Sequence, residues 1–321
     1  MVLARKAELL LSLFIAGFIF LGSILTYVVY GADGFSIFIF NVINSLVIGG
    51  VYALTAFGLS LVWGVMNLCN FAHGDFYTLA AYVQLWFIMA IGLNPIASAL
   101  TSLLFVFALG PVLERSLLRP AYYSINPQYA WLITFGLSLF LQNLFLNIFG
   151  PFPKKPPSLF FGKIDVFGLY YPNERAMAGL IAAIIVVALY FMLKYTWYGR
   201  ALRALVQDRE TASLFGVNVS SIMAISFGLG LALAGISGLL VGPFLLIDPT
   251  AGFRPGLKAF VIVVLGGMGS LKGSVFGAMI LALLETFGAA YISPGYQDAF
   301  GFLLLILTLI FKPEGLFGKE L

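Results

Sequence analysis

The chain has 321 residues, of which 61% are apolar and 9% charged, with 32 phenylalanines and a net charge of +4. Such a composition lies far outside that of water-soluble globular domains and describes an integral membrane protein with no separate soluble domain. One cysteine and one histidine exclude a disulfide framework, a cysteine or histidine metal cluster and a histidine-centred triad, and with them most enzyme classes.

Apolar runs of about 20 residues, enough to cross a bilayer, recur along the chain. In order they are Leu9 to Tyr30, Ile37 to Val62, Phe71 to Ile91, Pro95 to Leu113, Tyr129 to Phe149, Ala176 to Tyr195, Ile222 to Ile247, Leu257 to Gly267, Ser274 to Ile292 and Ala299 to Phe311. The first follows Arg5 and Lys6 but has no small-residue cleavage site, so it reads as a retained helix and not as a secretory leader. The two runs flanking Gly269 are short and can be counted as one broken unit, which gives about eight to ten crossings. The expected fold is an all-α polytopic membrane protein, one membrane domain over residues 1–321.

Lys and Arg divide unevenly between the ends of these runs. Eleven (Arg5, Lys6, Arg115, Arg119, Lys194, Arg200, Arg203, Arg209, Lys272, Lys312 and Lys319) fall on one side; six (Lys154, Lys155, Lys163, Arg175, Arg254 and Lys258) fall on the other. The richer side is expected to be cytoplasmic, with both termini inside. Scattered helix-end charges of this kind set topology and do not point to nucleic acid.

Two loops stand out. The outer segment, residues 150–175, carries Pro151, Pro153, Pro156, Pro157 and Pro172 and the aromatics Phe160, Phe161, Phe167, Tyr170 and Tyr171. Prolines at that density exclude a continuous helix, leaving an ordered external cap or a simple connector. The inner segment, residues 197–221, reads as two short amphipathic helices. Leu202, Leu205 and Val206 recur at helical spacing, Asp208 can cap the second helix and Gly216 can stop it. Arg200, Arg203 and Arg209 add positive charge, suited to docking a soluble protein or anionic headgroups; a plain solvated loop is the alternative.

Glycine and polar residues interrupt apolar runs twice: Gly64 to Asp75, with Asn67, Asn70, His73 and Asp75, and Gly266 to Gly273, with Gly267, Gly269 and Ser270. They are candidate equivalent points of two repeats. Backbone groups freed at such breaks bind solute only where they face a cavity, which makes these residues candidates for a translocation path or gate. Helix capping by Asp75, with Asn70 and His73 satisfying the backbone, is the structural alternative. Glu285 lies within an apolar run, where an unpaired carboxylate costs roughly 2.5 to 3.5 kcal/mol by insertion scales. It must face protein or water, with a partner on another element. Gly228, Gly230, Ala232, Ala234, Gly235, Gly238 and Gly242 give one run a small-residue face for close helix packing. Gly266 to Gly273 does not match a phosphate-binding loop, since Lys272 is followed by Gly273.

Four stretches together, NFAHGD (70–75), GRALRALVQDRETASLFGV (199–217), GLKAFVIVVLGGMGSLKG (256–273) and KPEGLFG (312–318), resemble the bacterial branched-chain amino-acid ABC transporter permeases, on the H-type side of their H and M pair. The resemblance runs from about Asn41 onward. It implies a non-catalytic transmembrane subunit of an importer in a bacterial or archaeal cytoplasmic membrane. A second, M-type permease, two ATPase subunits and an external solute-binding protein would accompany it, with ATP and Mg used by the ATPases and no cofactor on this chain. It also implies that Arg200, Arg203, Asp208, Arg209, Glu210, Ala212 and Gly216 belong to the loop that couples to the ATPase. Related permeases move urea or short amides, so branched-chain amino acids lead a short list of solutes. An ion-coupled transporter or a passive channel are the alternatives from other classes; either would work without ATPase partners.

Overall fold

Residues 34–123, 128–158, 160–166 and 168–318, together with Gly22 and Thr26, are described by the structure, a computed structural model. The first expected span, Leu9 to Tyr30, lies outside the described residues apart from Gly22 and Thr26, as do Arg5, Lys6, Phe167 and Lys319.

A 33-residue helix, α1 (Gly34–Met66), is the post on which the rest is hung. It contains no proline and keeps its apolar character throughout, so nothing ends it until Asn67, which takes a left-handed φ of 50°. At 1.5 Å per residue it is about 50 Å long, more than the hydrocarbon core requires. Helices α2 (His73–Ile91) and α3 (Pro95–Leu113) follow, joined by a tight connection in which Asn94 Oδ1 accepts the Ala97 amide at 2.8 Å. Pro111 interrupts the hydrogen-bond ladder of α3, which continues through a π-helical turn at Glu114–Leu118 into α4 (Arg119–Tyr122). The helical rod therefore extends past the apolar run that ends at Leu113. Glu114 is fully buried there, held by Arg119 Nε at 3.0 Å and Nη2 at 2.5 Å, so the charges that end the hydropathy signal neutralise one another inside the fold.

Helix α5 (Tyr129–Phe149) leads to the proline-rich segment, which folds as an antiparallel hairpin of β1 (Lys163–Val166) and β2 (Leu169–Pro172). Then come α6 (Asn173–Tyr195), the short pair α7 (Trp197–Gln207) and α8 (Arg209–Leu214), and α9 (Val219–Val241), whose small-residue face packs on α1, α2 and α3. Its helix ends at Val241, short of the expected Ile247, where Gly242 and Pro243 interrupt it. The last elements are α10 (Phe253–Gly266), α11 (Leu271–Tyr291), a 3₁₀ turn at Pro294–Tyr296 and α12 (Gln297–Phe311). Among the described residues eight helical segments are long and apolar enough to cross a membrane; α10, at 14 residues, is not one of them. The protein is an all-helical, multi-pass membrane protein.

The ends of α1, α4 and α6, the α7–α8 pair and the start of α9 gather at one pole of the bundle, tied by Arg209 to Val65 and Tyr122, and by Arg119 to Ser220. The β-hairpin marks the other pole, where Tyr171 Oη donates to Asn44 Oδ1 near the beginning of α1.

Candidate functional site: a docking hairpin and a re-entrant centre

The α7–α8 hairpin is built as the sequence suggests. Leu202 and Leu205 are buried on one face of α7, Asp208 caps α8 by accepting the Glu210 and Thr211 amides at 2.9 and 3.2 Å, and Gly216 ends it at φ 83°. Hydrogen bonds from the Thr211 hydroxyl and amide hold the Asp208 carboxyl below its ordinary range. Ala212 is buried beneath α8 and Glu210 faces outward.

The arginines, however, do not all form an outward basic surface. Arg203 Nη1 donates to the Leu193 carbonyl in the last turn of α6, and Arg209 donates to the Val65 carbonyl at the end of α1 and to Tyr122 Oη at 2.6 Å. Both side chains satisfy carbonyls that a helix terminus leaves unpaired. Arg200 remains exposed, bonded to Tyr195 O at 3.4 Å. The hairpin's outermost feature is apolar: Leu214 and Phe215 are 86% and 85% exposed. Neither was singled out from sequence, because a Leu-Phe pair in this composition carries no signal until its exposure is known.

After Met66 the chain turns back on itself. His73, the first residue of α2, places Nε2 2.9 Å from the carbonyl of Thr55, eleven residues short of the Met66 end of α1. A carbonyl only accepts, so Nε2 carries the proton. Residues 67–72 therefore re-enter the bundle, and α2 begins about 16 Å in from that end of α1 by the α-helical rise. Thr134 on α5 supplies what the irregular backbone lacks, donating to Cys69 O at 3.3 Å and accepting from Phe71 N at 3.3 Å, while Asn70 Oδ1 accepts the Ala72 amide at 3.1 Å. Asp75 does not cap α2; its carboxylate accepts from Gln142 Nε2 on α5 at 3.1 Å. Thr134, Ser138 and Gln142 recur every four residues along one face of α5, a legible polar stripe that the sequence reading missed. Three buried polar atoms here lack partners: Asn70 Nδ2, His73 Nδ1 and Thr78 Oγ1. Asn67 is exposed at the turn.

A second irregular segment, residues 242–252, enters from the opposite pole, where Ile247 pairs with Lys154. It delivers Gly252, at the start of α10, against Gly74 in the first turn of α2. A Cβ on Gly74 would lie 2.0 Å from Gly252 O, and one on Gly252 would lie 2.2 Å from Gly74 O, so only two glycines permit this approach. Two helices thus begin side by side inside the bundle, each reached by a re-entrant strand from a different pole. The breaks paired by sequence are not the two that meet. Gly266, Gly267 and Gly269 lie instead at the joint between α10 and α11, where the carbonyls of Leu265 and Gly266 accept the amides of Leu316 and Phe317 at 2.8 and 3.0 Å.

Glu285 finds its partners on other elements. Its side chain is fully buried, and Oε2 accepts from Lys258 Nζ on α10 and Tyr52 Oη on α1, each at 2.8 Å. Lys258 also lies 3.3 Å from Asp298, which Arg254 approaches at 3.9 Å. Arg254, largely exposed, and Lys258, mostly buried, thus share Asp298. They stand on α10, and Lys258 reaches Tyr52, three residues from Thr55, in the middle of α1.

Comparison with known proteins follows the same lines. Residues 41–309 match the family described as "Branched-chain amino acid transport system / permease component". The high-affinity branched-chain amino acid transport system permease protein LivH of Salmonella typhimurium is 34% identical over 302 residues, 90% of this chain and 98% of the relative. BraD of Pseudomonas aeruginosa, with the same description, is 31% identical over 87% of this chain and 95% of its own. The ribose import permease protein RbsC of Escherichia coli is similar over a shorter stretch, 33% identical over 37% of this chain and 39% of its own. With a bundle of membrane-spanning helices, two re-entrant segments at its centre and a match over nearly its whole length, the chain belongs to the branched-chain amino acid transport permease family.

Proposed function

We propose that this chain is the transmembrane subunit of an ATP-driven importer for branched-chain amino acids, assembled with an M-type permease, two ATPase subunits and an external solute-binding protein. It binds no cofactor; ATP and Mg act on the ATPases. The observation that carries the reading is the α7–α8 hairpin, whose Leu214 and Phe215 stand clear of the bundle while its arginines anchor it to the ends of α1 and α6. An exposed apolar tip on a braced support suits insertion into a groove of a soluble partner. The pole bearing it holds Arg115, Arg119, Lys194, Arg200, Arg203 and Arg209, which supports a cytoplasmic placement for this loop, and leaves the β-hairpin for the solute-binding protein.

The path is assigned to the re-entrant centre. Unpartnered polar atoms on Asn70, His73 and Thr78, buried beside the close contact of Gly74 and Gly252, support a constriction that is shut in this conformation and hydrated when the helices part. The Gly266 joint and Glu285 act as framework: the joint's carbonyls are matched within the chain, and Glu285 Oε2 is held by Lys258 and Tyr52, although its Oε1 has no partner. The test is purification of the tagged chain from native membranes in mild detergent, then reconstitution with whatever accompanies it and assay of leucine, isoleucine and valine uptake against urea and acetamide. Recovery of ATPases and a second permease with ATP-dependent leucine uptake is expected. Uptake by this chain alone would reject the reading in favour of a channel or ion-coupled carrier.

A further inference from the structure

We infer that Arg209 is the positioning residue through which displacement of the α7–α8 hairpin reaches α1 and the re-entrant segment 67–72. This rests on the reading of residues 197–218 as the docking hairpin.

Arg209 is the first residue of α8, fixed in place by the cap at Asp208. Its guanidinium works in two directions at once. Nη2 donates to the carbonyl of Val65, and Nη1 donates to Tyr122 Oη at 2.6 Å, with the guanidinium carbon 4.8 Å from the centre of the Tyr122 ring. Val65 is the last residue but one of α1, so its carbonyl has no amide of its own helix to accept from. Immediately beyond it the chain reverses at Asn67, a non-glycine residue at φ 50°, and runs inward to His73 and Gly74.

The other anchors of the hairpin have different reach. Arg203 bonds Leu193, which is joined to α7 through a few residues of backbone, so it closes a local corner. Tyr198 Oη and Ser226 Oγ, 2.7 Å apart, fasten α7 to α9. Arg119 grips Glu114 and Ser220, bracing α4 against the start of α9. Arg209 links α8 to a point 144 residues away, one residue from the end of α1. A hairpin pushed by a partner therefore pulls on the turn that sets the position of α2.

The planar fork is essential to this role. A lysine offers a single point of charge and cannot hold a carbonyl and a hydroxyl in fixed directions while lying over a ring. An uncharged side chain loses the attraction to the negative end of α1 as well.

The experiment uses the full importer, with partner permease, ATPases and binding protein, in liposomes in which ATP hydrolysis and leucine uptake are measured on the same sample. R209K, R209Q and Y122F are compared with the unaltered chain. All three are expected to assemble and to hydrolyse ATP within about twofold of it, while leucine carried per ATP falls about tenfold in R209Q and R209K, the scale of one charge-assisted hydrogen bond, and less in Y122F. Unchanged leucine per ATP in R209Q overturns the inference. So does loss of the assembled complex in all three variants, which assigns Arg209 to folding alone. If the unaltered chain recovers no ATPase, the importer reading itself has failed and this inference falls with it; that result precedes any variant.

Discussion

Glu285 illustrates how a single residue can be read correctly in kind and yet not in context. An apolar run containing one carboxylate requires a partner elsewhere, and the partners are Lys258 and Tyr52, on helices remote in sequence. Nothing in the spacing identifies Lys258, the second residue of the Leu257 to Gly267 run, as that partner. Removing one member of such a buried pair costs about 3 to 5 kcal/mol, because the other is left charged and unmatched, whereas replacing both by apolar residues is often neutral. Lys258→Met is thus expected to lower the thermal stability of the detergent-purified chain sharply, and Lys258→Met with Glu285→Met to restore most of it. A double variant no more stable than the single one would mean that the charges serve another purpose.

At the scale of elements, the sequence resolves helix limits where chain chemistry is local. Tyr129 and Phe149 bound α5 as expected, and Pro95 begins α3. It misjudges limits where tertiary contacts decide. The rod begun by α3 runs on to Tyr122 because Arg119 neutralises Glu114, and α2 starts inside the bundle because Thr55, Thr134 and Asn70 meet its polar needs there. The α7–α8 hairpin is legible in its caps and buried leucines but not in its exposed apolar tip, Leu214 and Phe215. Phe215→Asp, together with Leu214→Asp, should leave membrane insertion intact and reduce recovery of ATPase subunits on the tagged chain by about tenfold or more, since two apolar side chains lose burial worth about 1.5 to 3 kcal/mol each. Full recovery would place the docking contact elsewhere.

For the whole molecule, the central question is whether the segments that meet at Gly74 and Gly252 separate during turnover. Cys69, the one cysteine of the chain, lies buried on the first of them. Its labelling by a small maleimide in the reconstituted importer should be slow at rest and about tenfold faster under conditions that trap the ATPases closed, a difference corresponding to about 1.4 kcal/mol in the population of an accessible state. Equal rates in both conditions would show that the re-entrant segment stays packed throughout. The overall bundle was foreseeable from hydropathy alone, because crossing a bilayer demands long apolar helices whatever their neighbours. The depth at which α2 and α10 begin was not, since a composition window measures length along the chain and is blind to where a strand turns back.

The joint between α10 and α11 carries a consequence for biosynthesis. The carbonyls of Leu265 and Gly266 are matched by the amides of Leu316 and Phe317, which follow an entire intervening hairpin of helices. During translation those two carbonyls lack these partners until the chain has been made through Phe317, so the joint closes only after α11 and α12 have been synthesised. A chain stalled or clipped before Phe317 leaves the carbonyls of Leu265 and Gly266 without these amides, and the seam between α10 and α11 stays open.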